Sequence, residues 1–200
     1  MTTIKKFIKS FLGWLYLRFG PILVATPGTM YKGQYYSLNR VSVIRFLEEH
    51  ANQMHGKVLD VGSGKWTLPR RLLQDHCQYT STDCYADPNV DIVSDTQALA
   101  STFPKDEFDF ILCLEVLEHV PRPWLAVKEL YSILKPGGVL LLTTPLNFRR
   151  HGNNIYRDYW RFTEEGLQLL LREEAGFRQI EIKFFGHPDF PYSQMVEATK

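Results

Sequence analysis

Residues 57–66 read Lys-Val-Leu-Asp-Val-Gly-Ser-Gly-Lys-Trp, and the interpretation of the whole chain starts from this stretch. Its apolar residues 58–61 predict a short buried strand that ends in a glycine turn at 62–64. Glycine has no Cβ and adopts positive φ readily, so a ligand can lie against bare backbone at such a turn. A helix is predicted directly after the turn from the spacing of Leu68, Leu72 and Leu73. Strand, glycine turn and helix together are typical of the first unit of a nucleotide-binding α/β sheet.

The residues after the turn narrow the type of nucleotide. A dinucleotide fingerprint needs a third glycine, which would fall at Thr67. A P-loop needs Gly-Lys-Ser/Thr after four intervening residues, and the sequence lacks it. Both phosphate-binding interpretations therefore lose a required residue.

Composition indicates an ordinary globular protein. Two hundred residues are enough for one domain with a sizeable core, and a net charge of +1 gives no nucleic-acid-like signature. The three cysteines are an odd number without metal-ligand spacing, so we predict no metal site and a reducing, cytoplasmic setting. The oligomeric state is left open.

The first thirty residues differ from the rest of the chain. Residues 3–19 predict an amphipathic helix with lysines and many aromatic residues, and Gly20-Pro21 is expected to end it. We expect residues 1–30 to form this helix and a linker, and residues 31–200 to form the main domain. Two interpretations of the helix are open: it caps the domain or contacts a partner chain, or it lies in a membrane interface.

The remaining strands and helices alternate. Strands are predicted at 78–82, 90–93, 108–113, 139–144 and 177–185, and helices lie between them. This order predicts an α/β fold, a doubly wound, Rossmann-like three-layer αβα sandwich with a mostly parallel sheet. The tail at 186–200 shows no convincing further strand, so the C-terminal strand is expected to be irregular or incomplete.

Two aspartates follow predicted strands. Asp83 lies about twenty residues past the glycines, where a carboxylate accepts hydrogen bonds from ribose hydroxyls, although a turn aspartate before Pro88 is the alternative. Asp95 follows the next strand, where it is suited to cap the helix after it.

Four segments resemble a known family. They are Asp60-x-Gly62-x-Gly64, the run Glu115-x-x-Glu118-His119-Val120 after a buried strand, the reversal Leu134-Lys-Pro-Gly-Gly138, and residues 158–163. In this order they resemble class I S-adenosylmethionine-dependent methyltransferases that act on small molecules, of the type 11-like kind. Trp66 departs from the pattern, because the family usually has a third glycine there.

The resemblance implies S-adenosyl-L-methionine as the cofactor and a set of residues that bind it. Asp60 and the turn would hold the methionine end, Asp83 the ribose and Asp95 the adenine, while the backbone after the fourth strand would line the methionine part. The implied cofactor-binding residues are Asp60, Gly62, Ser63, Gly64, Asp83, Cys84, Asp95, Thr96, Leu114 and Glu115.

The long segment 145–161 follows a strand end and is rich in groups that recognise substrates. His151 and His119 are the candidate proton acceptors, and the alternative is that Glu118 and His119 hold the loop by hydrogen bonds. Trp160 and Phe162 are expected to be packing anchors. The candidate substrate residues are Tyr156, Asp158, Arg149 and Tyr35; for the tyrosines at 31, 35 and 36 packing against the core edge is the alternative.

The sequence thus predicts methyl transfer to a small-molecule acceptor: a sugar, lipid, quinone or secondary metabolite. The motifs of nucleic-acid methyltransferases are missing, so no nucleic-acid partner is expected. Peripheral membrane contact through the N-terminal helix would add a membrane association to the cytoplasmic setting. Two alternatives are an inactive scaffold on the same fold, favoured by Trp66, and a nicotinamide-dependent oxidoreductase, disfavoured by the missing glycine.

Overall fold

The computed structural model describes residues 3–25 and 28–200, with side chains described for 4–20 and 28–200. The helices are α1 (Thr3–Ala25), α2 (Leu38–Ala51), α3 (Leu68–Leu73), α4 (Pro123–Ile133) and α5 (Glu164–Gln168). The strands are β1 (Gly28–Tyr31), β2 (Gln34–Ser37), β3 (Lys57–Val61), β4 (Gln78–Asp83), β5 (Ile92–Val93), β6 (Phe108–Leu114), β7 (Leu134–Pro145), β8 (Gln179–His187) and β9 (Phe190–Thr199).

Seven strands form the central sheet in the order β5-β4-β3-β6-β7-β9-β8. Strands β5, β4, β3, β6 and β7 are parallel to one another, and β9 is antiparallel to both β7 and β8. Strands β4 and β5 lie on one side of β3, and the chain then crosses over to add β6 and β7 on the other side. The carboxyl ends of β3 and β6 therefore flank the switch point where open α/β sheets bind ligands. The predicted α/β class and mostly parallel sheet are confirmed.

Alternating side chains of the strands build two cores on opposite faces of the sheet. Leu59 and Ile111 face α4 and the helix that begins at α5, whereas Val58 and Leu112 face α2. All four side chains are 0% exposed, as expected for strands covered on both faces. The three layers expected from the sequence are therefore present.

The C-terminal tail corrects the sequence analysis. Residues 190–199 form the long strand β9 between β7 and β8, with Val196 and Ala198 fully buried. Pro188 and Pro191 obscured this strand in the sequence; they lie at the β8–β9 turn and at its start, where proline is tolerated. The strand predicted at 139–144 is also longer in the structure, where β7 begins at Leu134 directly after α4.

The N-terminal region also differs from expectation. Helix α1 continues to Ala25, so the predicted end at Gly20-Pro21 is wrong; a proline removes one backbone donor without always ending a helix. Residues 28–30, expected to belong to a linker, form part of a β-hairpin that spans 28–37, with Lys32 and Gly33 both at positive φ in its turn. Strand β1 crosses the boundary expected after residue 30, and that division of the chain stays a prediction.

Most described side chains of α1 are exposed to solvent. They include Phe7, Phe11, Trp14 and Leu17, each more than half exposed, and only Leu15 and Gly20 are less accessible. Among the described helices, none combines the length and the apolar character needed to cross a bilayer.

Candidate cofactor and acceptor site

The glycine turn after β3 is held by the neighbouring strand β4. The backbone N–H of Gly62 donates to the Thr82 carbonyl (2.8 Å), and that of Gly64 donates to Asp83 Oδ2 (3.0 Å). Gly62 has a φ of +71°, and a Cβ at this position would clash with Val116 Cγ2, so the turn requires glycine there. The turn is thus held by both the backbone and a side chain of β4, and Asp83 lies beside it.

Asp60 lies inside the sheet beneath this turn. Its carboxylate accepts a hydrogen bond from the Tyr79 hydroxyl (2.5 Å), and the Arg70 guanidinium stacks 4.9 Å from the centre of the Tyr79 ring. Burial raises the pKa of Asp60 to about 7, against the opposing effects of Tyr79 and Arg70. The Asp60 side chain therefore pairs with β4 inside the sheet.

Asp83, Cys84, Asp95 and Thr96 lie at the ends of the adjacent strands β4 and β5. The second Asp83 oxygen accepts from the Cys84 thiol (3.4 Å) and the Tyr85 N–H (3.3 Å). Burial, followed by the Asp83 charge, raises the pKa of Cys84 to about 11, so the thiol stays protonated. Asp95 caps the following 3-10 helix by accepting from Gln97 N (2.9 Å), which confirms its predicted capping role.

The end of β6 presents a strained residue. Glu115 has a φ of +61°, a conformation that residues other than glycine seldom adopt and that is concentrated at functional sites. Its N–H donates to the backbone carbonyl of Thr143 (3.0 Å), and its carboxylate accepts from Asn39 Nδ2. The other carboxylate oxygen, Oε1, is buried without a hydrogen-bond partner among the described residues, and burial raises the pKa of this group.

Helix α2 contributes two residues that the sequence analysis missed. Asn39 contacts Glu115, and Arg40 stacks 4.3 Å from the centre of the Trp66 ring. Burial lowers the pKa of Arg40, and the nearby charge of Glu115 opposes this shift. Trp66 packs against the α2-side core beside Arg40. No local signal in the sequence marked α2 as a wall of the site.

The loop after β7 folds back over the residues that follow β6. The centre of the His119 ring lies 4.8 Å from that of His151 and 4.6 Å from that of Tyr156. His119 Nδ1 contacts the Arg157 carbonyl (2.7 Å), which fixes Nδ1 as the protonated nitrogen of a neutral ring. Burial lowers the pKa of both histidines. The two predicted proton acceptors and one predicted substrate residue are therefore neighbours.

Hydrogen bonds anchor this loop, as the alternative interpretation of Glu118 and His119 predicted. The N–H groups of Tyr159 (2.7 Å) and Trp160 (3.2 Å) donate to the Glu118 carbonyl. The Trp160 indole donates to the Val120 carbonyl (2.8 Å) and its ring stacks on the buried Phe162, so both aromatic residues are packing anchors.

The other candidate substrate residues are placed differently. Asp158 pairs with Arg161 through both oxygens (2.5 and 2.8 Å) and accepts from the His151 N–H (2.9 Å), so its carboxylate organises the loop. Arg149 is exposed on the loop, and its carbonyl accepts from Arg161 (3.0 Å). Tyr35 lies on β2, 62% exposed, with its ring against Gly28. Of these, only Arg149 presents an exposed side chain on the loop itself.

The residues fit a bound nucleoside with a positively charged sulfonium. The turn offers backbone at Gly64, where a Cβ would meet only Asp83 (3.7 Å), and the buried Ser63 hydroxyl has no hydrogen-bond partner among the described residues. Glu115 adds a second unpartnered oxygen at the end of β6. Acceptor groups that lack donors suit a ligand that brings hydroxyl and amino donors.

Comparison with known proteins identifies the family. The family model described as a methyltransferase domain matches residues 31–182, well over half of the chain. Proteins named ubiquinone biosynthesis O-methyltransferase are similar: one from Erwinia tasmaniensis is 30% identical over 129 residues, covering 56% of this chain and 53% of that protein. One from Escherichia coli O139:H28 is 27% identical over 157 residues, covering 70% and 62%. The chain thus spans between about half and three fifths of these relatives.

Solved structures share the fold. A SAM-dependent methyltransferase from Archaeoglobus fulgidus has a TM-score of 0.65 at 17% identity, covering 81% of this chain and 94% of that one. The 1,6-didemethyltoxoflavin-N1-methyltransferase from Burkholderia thailandensis, solved with S-adenosylhomocysteine, has a TM-score of 0.63 at 17% identity, covering 100% and 91%. The family match and the glycine turn with its partner Asp83 confirm the resemblance noted in the sequence: the chain belongs to the class I S-adenosylmethionine-dependent methyltransferases.

Proposed function

We propose that this chain transfers a methyl group from S-adenosylmethionine to an oxygen of a small acceptor that binds under the loop after β7. One observation carries the proposal: the loop residues His151 and Tyr156 pack on His119, which ends the short 3-10 helix Leu117–His119 that follows β6 at the switch point of the sheet. The acceptor would therefore meet the methionine end of the cofactor, which would lie against the glycine turn and Glu115. The names of the curated relatives favour oxygen as the methylated atom.

The cofactor and the protein residues would have different roles in the reaction. The cofactor supplies a methyl group that its sulfonium already makes electrophilic. Asp83 would accept hydrogen bonds from the ribose, Cys84, Asp95 and Thr96 would lie at the base, and Asp60 would support the turn. The chain's main task is then to align the acceptor oxygen and to exclude water, for which the loop anchored on Glu118 is placed.

A neutral hydroxyl must lose its proton when it is methylated. His119 and His151 are the candidate acceptors of that proton, since burial keeps both rings neutral near pH 7. Tyr156 and Arg149 would contact the acceptor. Asp158 is given a positioning role in place of substrate contact, because Arg161 and the loop backbone already use its oxygens.

Calorimetric titration tests the cofactor part. Wild-type protein should bind S-adenosylmethionine, and Asp83→Ala should weaken binding by about tenfold or more, because hydrogen bonds to a charged acceptor contribute about 1.5–3 kcal/mol. Asp189→Ala removes an equivalent carboxylate that is 93% exposed and should leave the affinity unchanged. Absence of binding at millimolar ligand would refute the proposal and favour the inactive scaffold.

The scaffold alternative rests on Trp66 in place of the usual glycine. Trp66 packs against the α2-side core and under Arg40, so these contacts hold its ring on the α2 side of the sheet. A methyl-transfer assay with phenolic and sugar acceptors separates the two: cofactor binding without turnover on any acceptor favours the scaffold. Unchanged turnover in both His119→Ala and His151→Ala would remove these histidines as bases.

We also propose that α1 attaches this cytoplasmic enzyme to the surface of a membrane. The exposed apolar side chains of α1 are accompanied by Lys5, Lys6, Lys9 and Arg18, and the chain has no acidic residue before Glu48. Such a helix inserts its apolar side chains at the level of the headgroups while its cations attract anionic lipid.

Vesicle flotation tests this attachment. Wild-type protein should float with vesicles containing phosphatidylglycerol, and Phe7→Asp combined with Phe11→Asp should abolish flotation. Phe184→Asp combined with Phe190→Asp, which alters two exposed phenylalanines of β8 and β9, serves as the control. Equal flotation of both double variants would contradict a role for α1.

A further inference from the structure

Glu118 carries a buried carboxyl group that lacks hydrogen bonds from the part of the chain that the structure describes. Its side chain is 0% exposed, and neither carboxylate oxygen accepts a hydrogen bond from another residue that the structure describes. Burial and then the nearby charge of Glu115 raise its pKa well above the usual range. A buried carboxylate of this kind is either protonated or neutralised by a cation.

Two imidazole nitrogens face this carboxyl group. His119 Nε2 and His151 Nε2 each lie 3.7 Å from Glu118 Oε1, and the three ligand atoms lie within 4.8 Å of one another. These separations exceed direct hydrogen bonds. In a tetrahedral site with metal–ligand distances of about 2.1 Å, neighbouring ligand atoms would be about 3.4 Å apart. The spacing leaves room for one small ion between the three atoms.

The far side of each ring is already occupied. His119 Nδ1 contacts the Arg157 carbonyl (2.7 Å), and His151 Nδ1 faces the Arg149 carbonyl (3.3 Å). A carbonyl on Nδ1 fixes the proton there and leaves the lone pair on Nε2. Histidines that bind metals are commonly oriented by such a hydrogen bond on the other nitrogen.

We propose that Glu118, His119 and His151 bind one divalent transition-metal ion, such as Zn²⁺, Co²⁺ or Mn²⁺, through Oε1 and the two Nε2 atoms. Two imidazoles and one carboxylate suit a first-row transition metal better than the all-oxygen sites of Mg²⁺ or Ca²⁺. The positive charge of Arg161 opposes binding, and Asp158 neutralises it through a bidentate pair. The sequence analysis predicted no metal site, because it considered the spacing of the cysteines and this site contains none. His151 also lies on a different loop from Glu118 and His119, so the three residues do not form a local motif.

The metal ion would also have a role in methyl transfer, and this role rests on the proposed function. Three protein ligands leave coordination positions open for the acceptor oxygen. A bound hydroxyl would release its proton to solvent more easily, because the ion stabilises the oxyanion. The oxygen lone pair would then form the bond to the methyl carbon, while the electrons of the breaking carbon–sulfur bond return to sulfur. The two histidines would act as ligands in this case and not as bases.

Cobalt binding tests the site without any turnover. Full-length protein freed of metal by chelation and dialysis is titrated with Co²⁺, followed by visible absorption and calorimetry. We expect one equivalent to bind with d–d bands of a low-coordinate site, and Glu118→Gln and His151→Ala to weaken binding by tenfold or more. His187→Ala removes a histidine that is 71% exposed and far along the chain, and should bind Co²⁺ as the wild type does.

Three results would overturn the assignment: no binding by the wild type, equal losses in His187→Ala and His151→Ala, or a thiolate-to-cobalt charge-transfer band that places the ion on a cysteine. Circular dichroism of each variant controls for folding. Calorimetry with S-adenosylmethionine in the same samples separates the two proposals. If Glu118→Gln and His151→Ala lose cobalt binding but still bind the cofactor, the ion is located at Glu118 and His151. If the wild type binds cobalt but no cofactor, only the methyltransferase proposal is refuted.

Discussion

Asp60 shows at the residue scale how burial changes a carboxyl group. It is 2% exposed, and its pKa is raised to about 7 from an ordinary value of 3.8. Tyr79 and Arg70 favour the charged form, while the nearby Asp83 disfavours it. The unfolded chain therefore ionises this group well below the pH at which the folded protein does.

This difference predicts a pH dependence of stability. As pH rises from about 4 to 7, the unfolded state loses the proton and the folded state keeps it. The free energy of unfolding of the wild type therefore falls by up to about 4 kcal/mol. Asp60→Asn retains an acceptor for the Tyr79 hydroxyl but cannot ionise. We expect the difference in unfolding free energy between variant and wild type to grow in favour of the variant across this window, measured by urea unfolding at several pH values. A constant difference would contradict the raised pKa.

Gly62 gives a second prediction at this scale. Ala at 62 must adopt a φ of +71° and also displace Val116, so Gly62→Ala should lose about 2–4 kcal/mol of stability. Gly137 has a similar φ of +77° with nothing within 4 Å of an added Cβ, so Gly137→Ala should lose only about 1–2 kcal/mol. Urea unfolding of both variants isolates the steric part, and equal losses would show that Val116 moves aside freely.

At the scale of elements, α2 connects local sequence to the site. Ser37 caps the helix by accepting from the Arg40 N–H (3.2 Å), and the first turn of α2 carries Asn39 and Arg40 to Glu115 and Trp66. The cap thus supports the wall of the site as well as the helix.

Ser37→Ala should reduce stability by about 1 kcal/mol, because one N–H of the first turn loses its acceptor. Ser37→Asp restores an acceptor at the cap and should match the wild type. Thermal and urea unfolding measure the loss, and calorimetry reports any weakening of cofactor binding. A Ser37→Asp variant as unstable as Ser37→Ala would argue against the cap as the cause.

At the scale of the whole molecule, Lys200 ties β9 to the end of α4. Its ammonium donates to Asp106 (2.6 Å) and to the carbonyls of Tyr131 (2.8 Å) and Leu134 (2.7 Å), and the side chain is only 9% exposed. A cation at the carboxyl end of a helix also interacts favourably with its dipole. Residues that are distant in sequence are thereby joined at one edge of the sheet.

Lys200→Met should cost about 2–3 kcal/mol, since it leaves the carbonyls and Asp106 without their charged donor. Lys105→Met is the matched control: Lys105 is 75% exposed and lies 4.0 Å from the same aspartate, so its loss should change stability by less than about 0.5 kcal/mol. Urea unfolding of both variants at moderate salt measures the difference. A smaller loss for Lys200→Met than for Lys105→Met would contradict the tie.

Features that depend on near neighbours in sequence were predictable. The strand, glycine turn and helix at 57–73, the caps Ser37 and Thr163, and the sharp end of α4 follow from side-chain periodicity and from the backbone freedom of a few residues. The hairpin at 28–37 had a signal, the Lys32-Gly33 pair between β-forming residues, which the linker interpretation overlooked. Such features depend on forces within a few residues.

The sequence by itself determined the fold class and the strand, glycine turn and helix at 57–73, because these follow from periodicity and from the backbone freedom of glycine. Only the tertiary structure decided that residues 190–199 enter the sheet between β7 and β8, that Arg40 stacks on Trp66, and that His151 joins Glu118 and His119. The contact of Arg40 with Trp66 joins residues 26 positions apart along the chain, and the pairing of Val139 with Thr199 joins residues 60 positions apart. Their geometry depends on packing across layers, which no local pattern encodes.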